Sequence, residues 1–484
     1  MPTPLPPFER RRSLVFTAAA PALMPTPLVG ADEVLIGPNQ PTRIDGNGRY
    51  HSIATSAPGT VDMAGVLALL PPTQRRPDVV LVQVGAGMGA RVANLHHAPG
   101  RKVLLAGDTH HLRAPIRTLV DYALTEPFDL VAGVPTRQHL HWFRRAGCSR
   151  VHWLPAFHNQ LRPRPARASP RPVAAFAGTL QSPHHPARQR VLGAIRDAGL
   201  PFRAEQTDPD GLADMAADAA VSPNASLNGD LNRRVFEVLG AGGLLLTDRL
   251  GPHAGLDRLF TEGVHYLAYS TPAEAVEQTR RVLADPAAFG GMRRAGQGRV
   301  LAQHDHAANL RRLETLLAGG PEDPLLALDD DPRWTAAATP DPHWRERAAR
   351  YEALQELHRC LPGLALVGPG VDRDDPLVLA ASDLPRLALA PIQEPPAAQQ
   401  VLLLTAAADP ETALADHAGE WVLAADATAA GRAHEALGRF GFARHDEDAT
   451  LYRLADTGTN LGATAEAGGA LARAAKTAAW KRHG

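Results

Sequence analysis

Residues 221–248, VSPNASLNGDLNRRVFEVLGAGGLLLTD, carry the pattern that decides the fold of the chain. They predict the end of a strand, a polar loop, a short helix, a glycine turn and a second strand. The loop is rich in Asn, Ser and Asp, whose side chains cap helix N-termini. In the helix, Phe236 and Leu239 are three residues apart on the buried face, and LLLTD is typical of a buried parallel strand. A polar loop that leads into a helix at the carboxyl end of a strand is where open α/β sheets bind ligands.

Single positions of this stretch form a second pattern: an asparagine-rich loop, an Arg-x-Phe-Glu helix, a small-residue turn and an apolar strand. The positions in the loop, the helix and the turn are Asn228, Asp230, Asn232, Arg234, Phe236, Glu237, Gly242 and Gly243. The pattern resembles the sugar-nucleotide motif of bacterial CgeB-like (spore-maturation protein type) glycosyltransferases, which have the two-domain GT-B fold. The resemblance implies that this stretch binds a nucleotide-sugar donor and that Glu237 holds the ribose hydroxyls.

The helix departs from the family pattern at one position and also allows a purely structural interpretation. Many relatives have a second acid eight residues before the glutamate, where this chain has Gly229 followed by Asp230. Arg233 and Glu237 are spaced i,i+4, so an ion pair on an amphipathic helix explains them without a ligand. Such a pair contributes a few tenths of a kcal/mol.

Length, charge and cysteine content limit the class of protein. At 484 residues the chain is expected to hold two to four domains, and its formal net charge of −1 gives no global field for nucleic acid or an anionic membrane. The two cysteines, Cys148 and Cys360, lie too far apart in sequence for a metal knuckle, and secreted disulfide frameworks use more. No apolar run reaches the roughly 18–20 residues of a membrane span. These observations predict a cytoplasmic protein without a nucleic-acid partner or an integral membrane segment.

The first part of the chain predicts one α/β domain over residues 13–158. Residues 1–12 are predicted as a disordered tail, although the arginines and small residues at the start superficially resemble a signal peptide. Strand patterns then alternate with helical ones. The predicted strands are 13–18, 32–37, 49–55, 77–84, 101–108, 128–134 and 151–156, and the predicted helices are 61–70, 114–124 and 136–147. This alternation predicts a doubly wound, mostly parallel sheet.

A glycine-rich loop follows one of these strands and suggests a different class of enzyme. Gly85, Gly87 and Ala90 match G-x-G-x-x-A, and Asp108 lies 18 residues further on, so an oxidoreductase or methyltransferase with a dinucleotide or S-adenosylmethionine site is an alternative. The stretch that follows is short and ends at proline. The loop therefore also fits a flexible turn that faces an interdomain cleft.

The polar residues after the next strand are the catalytic candidates. Asp108, His110 and His111 follow its carboxyl end, and an unperturbed histidine titrates near pH ~6.5, which suits acid–base chemistry or hydroxyl binding. Asp108 can orient an imidazole or accept a proton from the acceptor. The three residues also resemble half of a metal site, but no partnered second cluster is evident, so no metal is predicted. Surface histidines that cap a helix are the structural alternative.

The rest of the chain predicts a second domain and a C-terminal module. The Pro/Arg-rich segment 159–172 is predicted as a linker and 173–318 as the donor-binding domain. The resemblance implies that Gly178 permits close approach of the donor phosphates and that Arg188 or Arg190 lies near them, with Arg190 the preferred candidate. Residues 319–339 are predicted as a second linker, 340–455 as a degenerate α/β accessory module whose end resembles that of class I methyltransferases, and 456–484 as an Ala/Gly-rich tail.

Together these observations predict an α/β protein with two Rossmann-like doubly wound domains that face a cleft, plus a C-terminal α/β accessory module. The predicted function is a metal-independent GT-B glycosyltransferase. It transfers a sugar from a nucleoside-diphosphate sugar, its co-substrate, to an unidentified acceptor, and it needs no cofactor. A non-catalytic scaffold that binds a sugar nucleotide is the second alternative.

Overall fold

The first domain is an α/β layer in the computed structural model, which describes residues 5–56, 59–112, 114–179 and 185–360 and parts of 365–454. Its strands are β1 (Arg12–Thr17), β2 (Asp32–Gly37), β3 (Arg43–Ile44), β4 (Tyr50–Ala54), β5 (Val61–Asp62), β6 (Val79–Val84), β7 (Val92–Ala93), β8 (Arg101–Ala106), β9 (Leu130–Gly133) and β10 (Val151–Trp153). Its helices are α1 (Met63–Leu69), α2 (Pro115–Thr125) and α3 (Leu140–Arg145).

Eight of these strands form one twisted sheet in the order β10-β9-β8-β6-β1-β2-β4-β3, while β5 and β7 pair separately. Only β3 is antiparallel to its neighbour. Val79, Val80, Leu81 and Val82 are all fully buried, as expected for a central parallel strand covered on both faces. From β1 the sheet grows in one direction through β2 and in the other through β6. The carboxyl ends of β1 and β6 therefore meet at a switch point, where open sheets leave a crevice.

The second domain repeats this architecture with five parallel strands. Its strands are β11 (Arg171–Ala177), β12 (Phe202–Glu205), β13 (Ala219–Pro223), β14 (Leu245–Asp248) and β15 (Leu267–Tyr269). Its helices are α4 (Pro186–Asp197), α5 (Pro209–Asp218), α6 (Arg233–Gly240), α7 (Leu256–Leu259), α8 (Pro272–Ala284), α9 (Gly290–Gln303) and α10 (His306–Leu317). The strand order β12-β11-β13-β14-β15 places a second switch point between β11 and β13. The predicted pair of doubly wound α/β domains is confirmed.

The C-terminal part contains α11 (Pro332–Ala336), α12 (Trp344–Cys360) and a third sheet. Its strands are β16 (Ala365–Val367), β17 (Ala388–Ala390), β18 (Gln400–Leu404), β19 (Trp421–Ala424), β20 (Phe442–Asp446) and β21 (Leu451–Leu454), in the order β17-β16-β18-β19-β21-β20. β21 is antiparallel to both of its neighbours, which gives the late strand pair expected of an α/β module. The predicted tail 456–484 lies outside the described residues.

Helix α12 packs on the first domain, although its sequence was grouped with the accessory module. The carboxylate of Glu352 accepts hydrogen bonds from the backbone N–H groups of Ile116 at 2.7 Å and Arg117 at 2.9 Å. It thereby caps the N-terminus of α2, which has no cap from its own preceding side chain. A carboxylate more than two hundred residues away supplies this cap, so local sequence cannot reveal it.

Side-chain contacts also hold two segments that the sequence predicted to be a disordered tail and a linker. Residues 5–12 were predicted as part of a disordered tail, but the buried Arg11 donates to the carbonyl oxygen of Val29 at 2.9 Å and pairs with Glu314 at 2.6 Å. In the predicted linker 319–339, Asp330 pairs at 2.5 Å with the buried Arg137 of the first domain. Across the described residues, no helix is long and apolar enough to cross a bilayer.

Candidate active site

A cleft of about 520 Å³ lies between the first and second domains, where the two switch points face each other. The first domain contributes the residues that follow β1, β6 and β8, and the second contributes the start of α6 and the side chain of Arg188. The glycine loop after β6 also reaches this cleft through Gly85. The site predicted from residues 221–248 therefore faces the loop that carries Asp108.

Side chains from β14, from β15 and from the loop itself hold the polar loop after β13. The carboxylate of Asp248 accepts hydrogen bonds from the backbone N–H of Ser226 at 2.8 Å and from its hydroxyl at 2.5 Å. The hydroxyl of Tyr269 donates to the carbonyl oxygen of Asn224 at 2.6 Å. Asp230 accepts from the N–H of Leu227 at 2.5 Å. These bonds hold the loop in the conformation that leads into α6 before any ligand binds.

The N-terminus of α6 is open towards the cleft. Asn232 occupies the N-cap position, but its side chain makes no capping hydrogen bond. Its Oδ1 atom is buried without a hydrogen-bond partner among the described residues, while its Nδ2 donates weakly to Asn224 at 3.4 Å. The first N–H groups of a helix need an external acceptor, and the helix dipole favours an anion there. This terminus therefore suits a phosphate group.

Two guanidinium groups stand beside this terminus around one aromatic ring. The Cζ atoms of Arg234 and Arg188 lie 4.2 Å and 5.4 Å from the centroid of the buried Phe176 ring. Arg234 also donates to the carbonyl oxygen of Ala177. Burial lowers the pKa of Arg234 to about 10, so it remains a cation at neutral pH. In the described part of the chain neither guanidinium forms an ion pair, which leaves two adjacent positive charges for an anionic ligand.

Gly178 lets Arg234 reach this position. Its φ of 138° lies in a region that L side chains rarely adopt, and a Cβ atom there would stand 2.7 Å from Nη2 of Arg234. The resemblance implied that donor phosphates approach Gly178 closely, whereas in the structure the guanidinium of Arg234 takes this space. Gly178 itself does not line the cleft, so it contributes through Arg234.

Glu237 lies one turn into α6, where it forms an ion pair and lines the cleft. Its Oε1 atom pairs with Nη2 of Arg233 at 2.7 Å, which is the i,i+4 ion pair expected from the spacing. Both side chains also line the cleft, and that of Glu237 is 17% exposed. The pair orients the carboxylate and leaves its other oxygen for a ligand hydroxyl.

Asp108 forms part of the opposite wall and pairs with His111. Its side chain is 37% exposed and lines the cleft, and its Oδ2 atom lies 2.6 Å from Nδ1 of His111. Burial opposes ionisation of Asp108, but the neighbouring imidazoles of His110 and His111 outweigh it and hold its pKa well below its usual range. Burial in turn opposes protonation of His111, yet Asp108 raises the pKa of that histidine above its ordinary value. Asp108 is thus an anion facing the cleft.

Asp230 is a further acidic residue of the cleft, close to the start of α6. Burial raises the pKa of Asp230 to about 6, and the negative charge of Asp108 adds to that effect. Its carboxyl group therefore titrates close to neutral pH. It occupies the neighbourhood in which the sequence pattern lacks an acid at Gly229.

Four side chains predicted for the site do not line the cleft. His110 is fully buried, and its Nδ1 atom lies 3.4 Å from Oδ1 of Asp108, so it faces that carboxylate. Asn228 is buried too, and its Nδ2 donates to the carbonyl oxygen of His110 at 2.8 Å, which ties the two domains together. His111 and Arg190 do not line the cleft either, and on α4 it is Arg188 that does.

Gly242 and Gly243 were also predicted to bind the donor, but they lie at the far end of α6. Gly242 has a φ of 73° and, with Gly243, closes the helix through backbone hydrogen bonds to Leu239 and Val238. A Cβ atom on Gly243 would stand 2.8 Å from the carbonyl oxygen of Ala216. These glycines end the helix, as their sequence predicts, and do not line the cleft.

The structure adds residues that sequence reasoning missed. Gln83, His158 and Asn159 line the cleft, and Thr17 donates through its hydroxyl to Gln83 at 2.9 Å. Gln83 lies next to the last residue of a predicted strand and His158 follows another, so their position near a carboxyl end was the available signal. Asn159 was assigned to the linker because proline and arginine dominate the residues after it.

The glycine loop lacks the helix that a dinucleotide fingerprint needs. After Gly85 the chain makes turns, enters the two-residue strand β7 and then a single 3₁₀ turn at Leu95–His97. A pyrophosphate site of that kind uses the N-terminus of a following α-helix. No group of three or more His, Cys, Asp or Glu side chains suited to a metal ion occurs among the described residues.

Comparisons with known proteins agree with the predicted enzyme class. Residues 180–315 match the family model described as "Glycosyl transferase-like". No curated protein matches the chain significantly.

Several solved structures are similar over most of their own length. Sucrose-phosphate synthase from Thermosynechococcus elongatus is 12% identical with a TM-score of 0.44, and the match covers 64% of this chain and 99% of that one. HepE from Anabaena, solved in complex with UDP-glucose, is 12% identical with a TM-score of 0.45, covering 64% of this chain and 100% of that one. AviGT4, from avilamycin A biosynthesis, is 15% identical with a TM-score of 0.40, covering 64% and 99%.

Proposed function

We propose that the chain is a cytoplasmic GT-B glycosyltransferase of the CgeB-like type, which moves a sugar from a nucleoside-diphosphate donor to an acceptor hydroxyl. One observation carries the proposal: the start of α6, which no side chain caps, shares a cleft with Asp108 of the other domain and with Arg188 and Arg234, cations that form no ion pair with any described residue. Anion-binding groups on one wall and a carboxylate on the other are what sugar transfer from a diphosphate requires. The family match over residues 180–315 supports the same class.

The donor binds along α6 in this proposal. Its diphosphate lies against the helix start, where Arg188 and Arg234 supply hydrogen bonds and positive charge. Glu237 accepts hydrogen bonds from the ribose hydroxyls with the oxygen that Arg233 does not hold. The sugar then points towards Asp230 and the first domain. Charge-assisted bonds of this kind are the strong ones in a partly buried site.

The transfer step exchanges one oxygen for another at the anomeric carbon. The acceptor oxygen forms the new bond, and the bond to the diphosphate breaks with its electron pair remaining on the nucleoside diphosphate. The acceptor hydroxyl donates to Asp108 and releases its proton through that carboxylate to water. Preorganised cations and helix N–H groups stabilise the charge that develops on the leaving diphosphate. This chain supplies those groups without a cofactor.

Donor turnover tests the proposal. We expect the wild-type chain to release nucleoside diphosphate from one member of a panel of UDP, GDP and dTDP sugars. Asp108→Asn is expected to keep donor affinity while its turnover falls by about 10²-fold or more, as for loss of a positioned acid or base. Saturable donor binding without turnover on any acceptor pool would instead identify a sugar-nucleotide scaffold. Binding of NAD(P) or S-adenosylmethionine alone would support the Rossmann-type alternative.

A further inference from the structure

Two polar side chains stand where the chain leaves the first domain. His158 and Asn159 follow β10 and line the cleft between the domains. They are 8% and 1% exposed, so both are at least nine-tenths buried. The roles proposed above do not use either residue.

These side chains lack the partners that buried polar groups normally have. Within the described ranges, Nδ1 of His158 and both polar atoms of the Asn159 amide are buried without a hydrogen-bond partner. An unsatisfied buried donor or acceptor costs about 1–3 kcal/mol, and native proteins leave few of them. Groups that face a cleft in this state are satisfied when a ligand enters.

The chemistry of the pair favours an uncharged ligand group. Burial, aided by the positive charge of Arg233, lowers the pKa of His158 to about 3, so its imidazole is neutral at physiological pH. The Asn159 amide offers one acceptor and two donors. Neutral donors and acceptors suit hydroxyl and carbonyl groups, whereas the diphosphate is served by Arg188 and Arg234.

The surroundings identify which part of the donor lies there. The charge that acts on His158 is Arg233, and Arg233 holds Glu237, the residue assigned to the ribose. We propose that His158 and Asn159 form a first-domain subsite for the uncharged nucleoside half of the donor, in the cleft that Glu237 also lines. This inference rests on the proposed function. A nucleoside held in this way contacts both domains and stabilises their closed arrangement.

The test uses substitutions that keep volume and remove hydrogen bonding. The variants are His158→Phe and Asn159→Leu in the full chain. The ligands are whichever of UDP, GDP and ADP binds the wild type most tightly and the corresponding nucleoside-diphosphate glucose, both measured by calorimetry. We expect each variant to bind both ligands at least tenfold more weakly, by the same factor. The melting temperature is expected to stay the same or to rise, because an unsatisfied buried group has been removed.

A control and a salt series make the readout specific. His141 is also buried, and neither of its ring nitrogens has a partner among the described residues, but it does not line the cleft. His141→Phe should therefore leave both affinities unchanged. The losses caused by His158→Phe and Asn159→Leu are expected to be similar at about 0.05 M and about 0.5 M salt, since neutral contacts are not screened.

Three outcomes overturn the inference. Unchanged affinity for both ligands removes the subsite, and loss confined to the nucleoside-diphosphate glucose assigns the two residues to the transferred sugar. If the substitutions lower the melting temperature as well as the affinity, the two residues have a structural role. If the wild type binds no nucleoside diphosphate, the proposed function itself fails, and that result is distinct from any of the three.

Discussion

The guanidinium carbon of Arg234 lies 4.2 Å from the centroid of the Phe176 ring, and its Nη2 atom occupies the space that a side chain at Gly178 would need. Strand β11 thus provides both the aromatic surface and the gap, and helix α6 provides the cation. The geometry holds Arg234 at the helix start without a carboxylate partner in the described residues. This relationship gives the proposed donor site two positive charges suited to an anion.

Loss of Arg234 is expected to weaken donor binding strongly. Arg234→Gln removes a cation and its hydrogen bonds, each worth about 1.5–3 kcal/mol when charge-assisted, so nucleoside-diphosphate affinity should fall by about 10- to 100-fold. Arg281 stacks on Phe289 at 5.2 Å in the same way but lies outside the cleft. Arg281→Gln is therefore the control in the same calorimetric titration. Equal effects of the two substitutions would contradict the assignment.

Gly178 is expected to be intolerant of any side chain. Gly178→Ala places a Cβ atom 2.7 Å from Nη2 of Arg234 on a backbone with φ 138°, so it should destabilise the fold by about 1–3 kcal/mol and weaken donor binding. Gly193 lies within α4 with open space around its Cα. Gly193→Ala should stabilise the helix by roughly 0.5–1 kcal/mol, which denaturant unfolding can measure in parallel. A neutral Gly178→Ala would show that Arg234 is free to move.

Substitutions of Glu237 and Arg233 distinguish a ligand-binding role of Glu237 from a purely structural role of the ion pair. Glu237→Gln should weaken nucleoside-diphosphate binding by about tenfold or more, because a neutral amide replaces an ionised acceptor of ribose hydroxyls. The ion pair itself contributes only a few tenths of a kcal/mol, so unfolding should barely change. Arg233→Gln, which breaks the same pair, serves as the comparison. If the two variants lose affinity equally, the pair only supports the helix.

The raised pKa of Asp230 predicts pH-dependent donor binding. Because that pKa is about 6, the carboxyl group loses its negative charge as the pH falls from about 7.5 to about 5. Affinity for UDP-glucose, whose diphosphate charge stays constant over this range, should rise several-fold as the repulsion disappears. The slope should vanish in Asp230→Asn, although His111 still titrates nearby. A slope that survives this substitution rules Asp230 out as its source.

The Asp108–His111 pair predicts a window of stability. The lowered pKa of Asp108 gives stabilisation that is present above about 3.9 and lost as the pH falls through its lower folded value. The raised pKa of His111 gives stabilisation that is present below about 6.5 and lost as the pH rises through its higher folded value. The melting temperature difference between wild type and Asp108→Asn should therefore be larger at pH ~5.5 than at pH ~9. The exposed pair Asp45 and His51, 3.3 Å apart, provides the control through Asp45→Asn.

The sequence predicted the elements of the fold well because they rest on local patterns. Continuous apolar runs such as Val79–Val84 are visible in the sequence, and so are the polar start and glycine end of α6. The cap on α2 was not predictable, because it comes from Glu352 on a distant helix. The packing of residues 5–12 was missed for the same reason, since the partners of Arg11 lie far along the chain.

The site was predictable in its position but only partly in its residues. Strand ends mark the cleft, so Asp108, Asp230, Arg234 and Glu237 were found. The sequence does not show how deeply each side chain is buried, however. His110 is fully buried, whereas Asp108, two residues earlier, lines the cleft. Which of Arg188 and Arg190 lines the cleft depends on the residue at which α4 begins, and the sequence alone does not fix that residue. The Asn159 amide has no hydrogen-bond partner among the described residues. No local sequence pattern predicts this, because it depends on all the surrounding side chains.

The most direct measurement of the central claim is thermal unfolding of the wild-type chain with a panel of nucleoside-diphosphate sugars, alongside NAD(P) and S-adenosylmethionine. A ligand at 100 times its dissociation constant stabilises the folded state by about 2.7 kcal/mol, which is readily seen as a rise in melting temperature. We predict such a rise with at least one nucleoside-diphosphate sugar and its loss in Arg234→Gln. Stabilisation by NAD(P) or S-adenosylmethionine with none from any nucleoside-diphosphate sugar would contradict the account.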